Sequence, residues 1–278
     1  MDSLPTEMTL HILSFLPGKD LKHSSLVSTR FTPLAQQTLF KSVKILMGVG
    51  NIRSENFVDF VDVVVNEPRL RLMIKRLDIG AKFDKRLHYQ PLVRLLEQVF
   101  NLRELLCYSN TSLPSIPFRP HQFPQLHRIQ WPLSGTGIEI FHTLLPYSPV
   151  IDISLLCPTH LQSKVVFAAL LELSTLKWIN NVVRYTGPSC LLQGLSKDAK
   201  LLHFCSRNSL SEETLLGLAS KRLLSLHINL ESFFPPRPEG HIPPSHLPSL
   251  FPNLQSVVWL TATAQSVRYF SQKYQNTR

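Results

Sequence analysis

The stretch Leu4–Phe40, LPTEMTLHILSFLPGKDLKHSSLVSTRFTPLAQQTLF, contains the patterns of three short helices. Pro5 suits the first turn of a helix, where its missing N–H costs nothing. Pro17-Gly18 predicts the end of that helix. Asp20 is predicted to cap a second helix, and Thr32-Pro33 is predicted to open a third. The apolar residues at helical spacing are Met8, Ile12, Phe15 and Leu16, then Leu21, Leu26 and Val27, then Leu34 and Phe40.

Three short helices bury too little surface to be stable alone, and these carry more large apolar residues than they can hide from water. Surplus apolar surface of this kind indicates a binding partner or a neighbouring domain. A helical cap on the domain that follows is the alternative interpretation, and the pattern alone leaves both open.

The motifs follow a fixed order: Leu4-Pro5-x-Glu7, Ile12-Leu13-x-Phe15-Leu16-Pro17, Asp20-Leu21, Ser25-Leu26-Val27-Ser28, Phe31, Leu34-Ala35 and Leu39-Phe40. In this order they resemble an F-box, and the resemblance covers residues 4–40 only. The family implies binding to a Skp-type adaptor, which joins a cullin scaffold to form a ubiquitin ligase. The positions that match the family's adaptor contacts are Leu4, Pro5, Ile12, Leu16, Leu26, Val27 and Phe31.

Composition limits the class of protein. The chain has 278 residues, 44% of them hydrophobic and 17% charged, which is typical of a folded protein. No apolar run reaches the length of a bilayer span and no secretory pattern opens the chain, so we expect a cytoplasmic and/or nuclear protein without a membrane partner. The cysteines form no CxxC pair and have no histidine at metal-ligand spacing, so we expect reduced thiols, no metal site and no cofactor.

The formal net charge is +10. Such a charge is compatible with nucleic acid, an acidic membrane face, or an acidic or phosphorylated protein partner. The basic residues are scattered, however, and no nucleic-acid signature accompanies them. Solvated surface charge is therefore the favoured interpretation, and we do not expect a nucleic-acid partner.

From Ile74 onward the pattern apolar-x-x-apolar-x-apolar recurs, with first residues 23 to 31 positions apart. It resembles the strand half of a leucine-rich repeat, whose units stack because none can bury its apolar face alone. Asn110 and Asn181 meet the asparagine position of that repeat, so the array is degenerate. The eight triplets are Ile74-Leu77-Ile79, Leu102-Leu105-Cys107, Leu126-Ile129-Trp131, Val150-Ile153-Leu155, Leu173-Leu176-Trp178, Ala199-Leu202-Phe204, Leu223-Leu226-Ile228 and Leu254-Val257-Trp259.

The segments between these triplets mostly show helical patterns. A strand is predicted over Ser42–Leu46, and the proline-rich stretch 233–252 is predicted to be a stiff surface loop. A polyproline-type ligand is the weaker alternative there. The predicted helices are 54–66 ended by Pro68, 87–100, 138–145, 161–171, one capped by Ser209 and Glu212, and a last amphipathic one containing Val267, Phe270 and Tyr274.

The predicted fold is α/β. A three-helix F-box at residues 1–45 is followed at 46–278 by a curved leucine-rich-repeat-like solenoid of short parallel strands and helices. The lead-in Asn66–Leu70 adds a resemblance to fungal-type F-box proteins. No nucleophile elbow, P-loop, HExxH or paired-carboxylate motif is present in the sequence, so we do not expect an enzyme.

Residues that flank the second apolar position of each strand point away from the core, because side chains alternate along a strand. This face is predicted to bind an unidentified protein substrate. The leading hypothesis is a substrate receptor of a cullin-type ubiquitin ligase. The alternative is an interaction scaffold that recruits no ubiquitin, favoured by Phe31 and Pro33 where the family often has a tryptophan. The predicted target-binding residues are Arg76, Tyr108, Arg128, Gln130, Lys177, His203 and His227, with Asp78, Glu104 and Asp152 on the same face.

Overall fold

Short helices and short strands follow one another along the chain. The computed structural model describes residues 4–45, 54–80, 85–108, 116–133, 139–156, 181–188, 192, 199–206, 218, 223–229, 251–263 and 266–273. The helices are α1 Thr6–Ser14, α2 Gly18–Val27, α3 Phe31–Lys41, α4 Ser54–Asn66, α5 Pro68–Met73, α6 Lys85–Leu96, α7 Glu139–Thr143 and a 3₁₀ turn Leu145–Tyr147. The strands are β1 Ser42–Ile45, β2 Arg76–Ile79, β3 Glu104–Cys107, β4 Arg128–Pro132, β5 Asp152–Leu156, β6 Arg184–Gly187, β7 His203–Ser206, β8 Ser225–Asn229, β9 Ser256–Thr263 and β10 Ser266–Lys273. None of the described helices is long and apolar enough to cross a membrane.

Helix α3 is central among the three N-terminal helices and contacts both α1 and α2. Ala35 of α3 is fully buried, and Leu13 and Leu21 are the buried leucines of the other two helices. A methyl side chain at the centre lets three helix backbones approach closely, which favours dense packing of so small a core.

The starts of α2 and α3 differ from the sequence prediction. Asp20 was expected to cap α2, but α2 begins at Gly18 directly after Pro17, and the Asp20 N–H donates to the Pro17 carbonyl at 2.9 Å. Helix α3 begins at Phe31 rather than at Thr32-Pro33. Pro33 lies in the first turn of α3, where backbone N–H groups have no helical acceptor, so the helix continues through it unbroken.

The N-terminal helices join the sheet without a linker. Strand β1 begins at the residue after α3 ends, and Ser42 pairs with Arg76 of β2. The Lys75 N–H donates to the Lys41 carbonyl at 3.1 Å. Phe40 of α3 stacks on Phe60 of α4 with ring centroids 6.3 Å apart. Backbone pairing and aromatic packing therefore fix α3 to the rest of the molecule.

The strands form one ten-stranded sheet in chain order. Strands β1 to β9 are parallel, and β10 pairs antiparallel with β9. The second residue of each strand from β2 to β8 is almost completely buried, so one face of the sheet carries the core. These residues are Leu77, Leu105, Ile129, Ile153, Tyr185, Phe204 and Leu226. We call the opposite side, onto which the first residue of each strand projects, the open face.

Six of the eight predicted triplets coincide with strands, namely those of β2, β3, β4, β5, β8 and β9. The triplet predicted at 199–204 is wrong by two residues. The buried positions at and just before β7 are Leu201, Phe204 and Ser206. The strand beside β5 is β6, at 184–187, whereas the predicted triplet at 173–178 lies outside the described residues. The corrected first residues are 19 to 32 positions apart, so the spacing is less even than expected.

The C-terminal prediction of an amphipathic helix is wrong, because Ser266–Lys273 is strand β10. Its eight residues pair with all of β9, from Ser266 opposite Thr263 to Lys273 opposite Ser256. The β-branched and aromatic residues of this segment suit a strand, and the free edge of β9 supplies the hydrogen-bonding partner that the local sequence cannot show.

Helix predictions elsewhere are partly confirmed. Helix α4 has the predicted bounds, and Pro68 also opens α5, which was not predicted. Helix α6 begins two residues before and ends four residues before the prediction, and only α7 and the 3₁₀ turn occur near 138–145. The predicted helix at 161–171, the Ser209 capping box and all but the last two residues of the proline-rich stretch lie outside the described residues.

Gly187, the last residue of β6, tests how tightly the sheet is packed. A β-carbon at this position would lie 2.7 Å from the Tyr185 hydroxyl and 3.0 Å from the Leu155 β-carbon. The buried Tyr185 hydroxyl donates to the Pro188 carbonyl at 2.9 Å, so it is not free to move. We expect Gly187→Ala to lower the free energy of unfolding by about 1–3 kcal/mol, measured by urea unfolding followed through tryptophan fluorescence.

The matched control is Gly18→Ala. A β-carbon there would have the Leu39 side chain as its nearest neighbour at 3.9 Å, an ordinary contact. This variant should not be destabilised. Equal losses of stability in the two variants would contradict the crowding around Gly187.

Candidate functional site

Exposed apolar side chains concentrate on the first two helices. Five of the eleven large hydrophobic residues that are exposed among the described residues lie between Met8 and Val27. Phe15 at the end of α1 is 74% exposed, and Leu26 and Val27 at the end of α2 are 83% and 77% exposed. Large apolar side chains left exposed in this way usually mark a surface that a partner covers. We call these five residues, Met8, Ile12, Phe15, Leu26 and Val27, the apolar N-terminal residues.

The other predicted adaptor contacts lie around them. Pro5 is exposed immediately before α1, whereas Leu4, Leu16 and Phe31 are partly buried. The backbone carbonyl of Leu4 accepts a hydrogen bond from the Arg30 guanidinium at 3.2 Å. This hydrogen bond holds the N-terminal segment against the start of α3.

The second candidate site is a row of alternating charges across the open face. The row consists of the first residues of five consecutive strands, β2 to β6. Parallel pairing places each of them opposite the next, because equivalent positions of neighbouring strands are aligned. We call these residues, Arg76, Glu104, Arg128, Asp152 and Arg184, the charge row.

Each carboxylate of the charge row lies between two guanidinium groups. Glu104 is 3.3 Å from Arg76 and 3.8 Å from Arg128. Asp152 is 3.5 Å from Arg128 and 3.4 Å from Arg184. Neighbouring strands are about 4.8 Å apart, so like charges at adjacent positions would repel and the alternation of sign removes that repulsion.

At one end of the row, Arg76 is also bound to Asp78. Its Nε donates to Asp78 Oδ1 at 2.8 Å and its Nη2 donates to Asp78 Oδ2 at 3.1 Å. This hydrogen-bonded pair, more than the nearby Glu104, raises the pKa of Arg76 above its ordinary value. Asp78 is buried, and its carboxylate is satisfied by these two hydrogen bonds from Arg76.

From Glu104 onward, the charge row lies in a groove of about 700 Å³ that crosses strands β3 to β8. His203 Nδ1 lies 2.8 Å from the Ser225 hydroxyl. Burial lowers the pKa of His227, and the nearby His203 lowers it further. The polar side chains that line the groove come from successive strands: Glu104, Arg128, Gln130, Asp152, Ser154, Arg184, Thr186, His203, Ser225 and His227.

The groups in this groove suit binding by ion pairs and hydrogen bonds. Three or more histidine, cysteine, aspartate or glutamate side chains do not come together as a metal site anywhere in the described part of the chain. The groove runs across the strands and combines both signs of charge with hydroxyl donors. Such a surface fits an extended polar ligand better than a compact ion.

An F-box-like family model matches residues 1–45. The chain carries an F-box-like domain. F-box domains bind Skp-type adaptors, so the domain implies adaptor binding within a cullin-type ubiquitin ligase. A search of curated proteins found no match to the chain.

The structure brings together four of the predicted target-binding residues. Arg128, Gln130, His203 and His227 all line the groove. Arg76 belongs to the charge row but lies beyond the groove, and Tyr108 is an exposed residue just after β3. Lys177 lies outside the described residues.

Arg184 is the main residue that the sequence prediction missed, because the triplet for its strand was placed at 173–178. The charge row itself contains the signal that identifies it. With Arg76, Glu104, Arg128 and Asp152 in alternation, the next strand should begin with a cation. Arg184, directly before the buried Tyr185, meets that condition.

We predict that Asp152 stabilises the sheet through its two arginines. Asp152→Asn leaves Arg128 and Arg184 without the carboxylate between them, so the free energy of unfolding should fall by about 1 kcal/mol. The loss should shrink in high salt, because these side chains are partly exposed and their interaction is screened. Urea unfolding at low and high salt measures both effects.

The control for this prediction is Glu97→Gln. Among the described residues, Glu97 has one arginine partner, Arg119, at 3.4 Å, and the Arg119 side chain is 77% exposed. An isolated exposed pair contributes little, so this variant should change stability by a few tenths of a kcal/mol. An Asp152→Asn effect no larger than that of the control would contradict the role of the charge row.

We also predict that His227 makes stability depend on pH. Its pKa in the folded protein lies below the ordinary value of 6.5, so the unfolded chain binds the proton first. Its contribution to the free energy of unfolding should therefore fall as the pH drops from 6.5 towards the folded pKa, and level off below it. Measuring the free energy of unfolding of wild type and of His227→Gln across this pH range isolates the contribution of His227. The two chains should show the same pH dependence if burial does not disfavour the imidazolium.

Proposed function

We propose that this chain is an F-box substrate receptor that docks on a Skp-type adaptor and presents a protein target to a cullin-based ubiquitin ligase. The observation that carries the proposal is the exposure of the apolar N-terminal residues within the F-box-like domain. Burying this surface against an adaptor would remove apolar area from water at about 25 cal/mol per Å². The partner subunits would perform the transfer chemistry, so the chain itself is not an enzyme.

The part after residue 45 would act as a curved, leucine-rich-repeat-like solenoid that holds the target. This proposal is supported by the order of the sheet, in which each strand from β2 to β8 follows its spatial neighbour along the chain. The buried second residues of these strands stack into one continuous core. Such stacking of similar units produces extended binding surfaces in repeat proteins.

The mechanism would be positioning. The direct continuation of α3 into β1, and the pairing of β1 with β2, would hold the adaptor-binding helices in a fixed relation to the open face. A target bound on that face would be kept near the charged ubiquitin carried by the ligase, which raises its effective concentration. The proposed site of action is the cytoplasm and/or the nucleus.

The alternative is a scaffold that binds proteins through the open face without recruiting ubiquitin. Phe31 and Pro33, in the region where the family often has a tryptophan, favour it; α3 begins at Phe31 and continues through Pro33. This leaves adaptor binding as the property that separates the two hypotheses.

Leu26 provides the decisive variant. We expect the full chain to co-purify with a Skp-type adaptor, and Leu26→Ala to weaken that complex by at least about 30-fold, as truncation of a central apolar contact does. Titration of labelled adaptor with the purified chain measures the dissociation constant. Leu26 is 83% exposed in the free chain, so the substitution should not disturb folding.

Leu72→Ala is the matched control, because Leu72 is a leucine on α5 that is 57% exposed and lies outside the F-box-like domain. It should bind the adaptor as wild type does. A folded wild-type chain that does not bind the adaptor would rule out the receptor function and leave the scaffold.

A further inference from the structure

The open face has an uneven distribution of charge. Strands β2 to β5 contain three carboxylates, those of Asp78, Glu104 and Asp152, whereas strands β6 to β10 contain none. On the β6–β8 side the groove therefore has a basic residue, Arg184, with no acidic residue on the strands beyond it. A negatively charged group of a ligand is therefore favoured at this end of the groove.

The carboxylates on the other side are already occupied. Asp78 is bound by Arg76, Glu104 lies between two arginines, and Asp152 is shared between Arg128 and Arg184. Arg184 is at the end of the charge row and 61% of its side chain is exposed. Among the described residues Asp152 is its only carboxylate partner, and Arg128 competes for it. Part of the Arg184 charge is thus available to a ligand.

The neighbours of Arg184 in the groove are hydrogen-bond donors. Thr186 lies two residues along the same strand, and Ser225 lies two strands away in the same row as Arg184. His203 is in the row between them, within 2.8 Å of the Ser225 hydroxyl, and His227 lines the same part of the groove. A guanidinium flanked by hydroxyl and imidazole groups matches the acceptor oxygens of an anionic side chain.

We propose that the β6–β8 end of the groove binds a carboxylate side chain of an acidic segment of the protein target, with Arg184 as its ion-pair partner. This inference rests on the proposed receptor function, since it takes the groove as the target site. The net charge of +10 would attract an acidic segment from a distance.

The positive charge available at this site favours a carboxylate over a phosphate as the ligand group. A guanidinium that is partly compensated by Asp152 can balance at most one negative charge. A phosphate carries nearly two at neutral pH and would need protonated histidines as well. Burial and the proximity of His203 lower the pKa of His227 and disfavour its protonation, so His227 does not supply a second positive charge at neutral pH.

Glu104 and Asp152 also argue against a nucleic acid in this groove. Both carboxylates line it alongside the arginines. A phosphate backbone laid across the strands would pass these negative charges, whereas a peptide can place basic or neutral residues opposite them. A peptide with one acidic side chain at the β6–β8 end therefore fits the charges best.

The test uses the full chain and short fluorescein-labelled peptide pools. The pools share uncharged, degenerate flanks and differ only at a central residue, which is glutamate, glutamine or phosphoserine. Fluorescence anisotropy should show the glutamate pool binding roughly tenfold more tightly than the glutamine pool, as expected for a charge-assisted hydrogen bond. Arg184→Gln should abolish this preference.

Arg119→Gln is the matched control. Arg119, like Arg184, is an exposed arginine whose guanidinium lies 3.4 Å from one carboxylate, but it is remote from the groove. It should keep the glutamate preference. A thermal unfolding scan of each variant checks that the fold is retained.

Equal binding of the glutamate and glutamine pools by wild type, including no binding of either, would overturn the proposal. So would a glutamate preference that persists in Arg184→Gln. Tighter binding of the phosphoserine pool than of the glutamate pool would overturn the choice of a carboxylate. Adaptor binding is measured separately. A wild-type chain that binds the adaptor but shows no glutamate preference would reject the acidic site alone. A wild-type chain that shows the glutamate preference but does not bind the adaptor would reject the receptor function alone.

Discussion

One backbone interaction recurs from strand to strand and determines the geometry of the open face. The carbonyl just before a strand accepts the N–H groups of two consecutive residues at the start of the next strand. Lys75 accepts from Arg103 and Glu104 at 2.7 and 3.0 Å, and Leu224 accepts from Gln255 and Ser256 at 2.9 and 3.2 Å. The same arrangement occurs at every strand between them. It fixes the register, so the first residues of the strands must lie side by side.

Both candidate sites depend on this register. A shift of one residue would turn the buried second residues towards water and move the charged first residues into the core, which is strongly unfavourable. The register also begins at the end of α3, since the Lys41 carbonyl accepts the Lys75 N–H and Ser42 is aligned with Arg76. The exposed residues of the F-box-like domain and the groove are therefore connected through continuous strand pairing.

The local sequence pattern predicted the strands whose buried positions are all apolar. The strands β2 to β5 begin and end near the predicted triplets, because apolar side chains fill all of their buried triplet positions. In β6 and β7, Gly187 and Ser206 occupy the third buried position, and a search for apolar triplets passes over them. Strand β10 exists because β9 has an unpaired edge, a property of the assembled sheet. Arg184 was missed for the same reason as β6.

The two surfaces suit different kinds of binding. Apolar side chains such as Phe15 and Leu26 gain free energy by leaving water, an interaction that salt does not screen and that favours a lasting complex. The charge row is partly exposed, so each new ion pair there contributes modestly and weakens with ionic strength. For the proposed receptor, the first property would keep the chain on its adaptor. The second would let a target bind selectively and leave once it has been modified, because specificity in the groove comes from matched charge rather than from a large buried area.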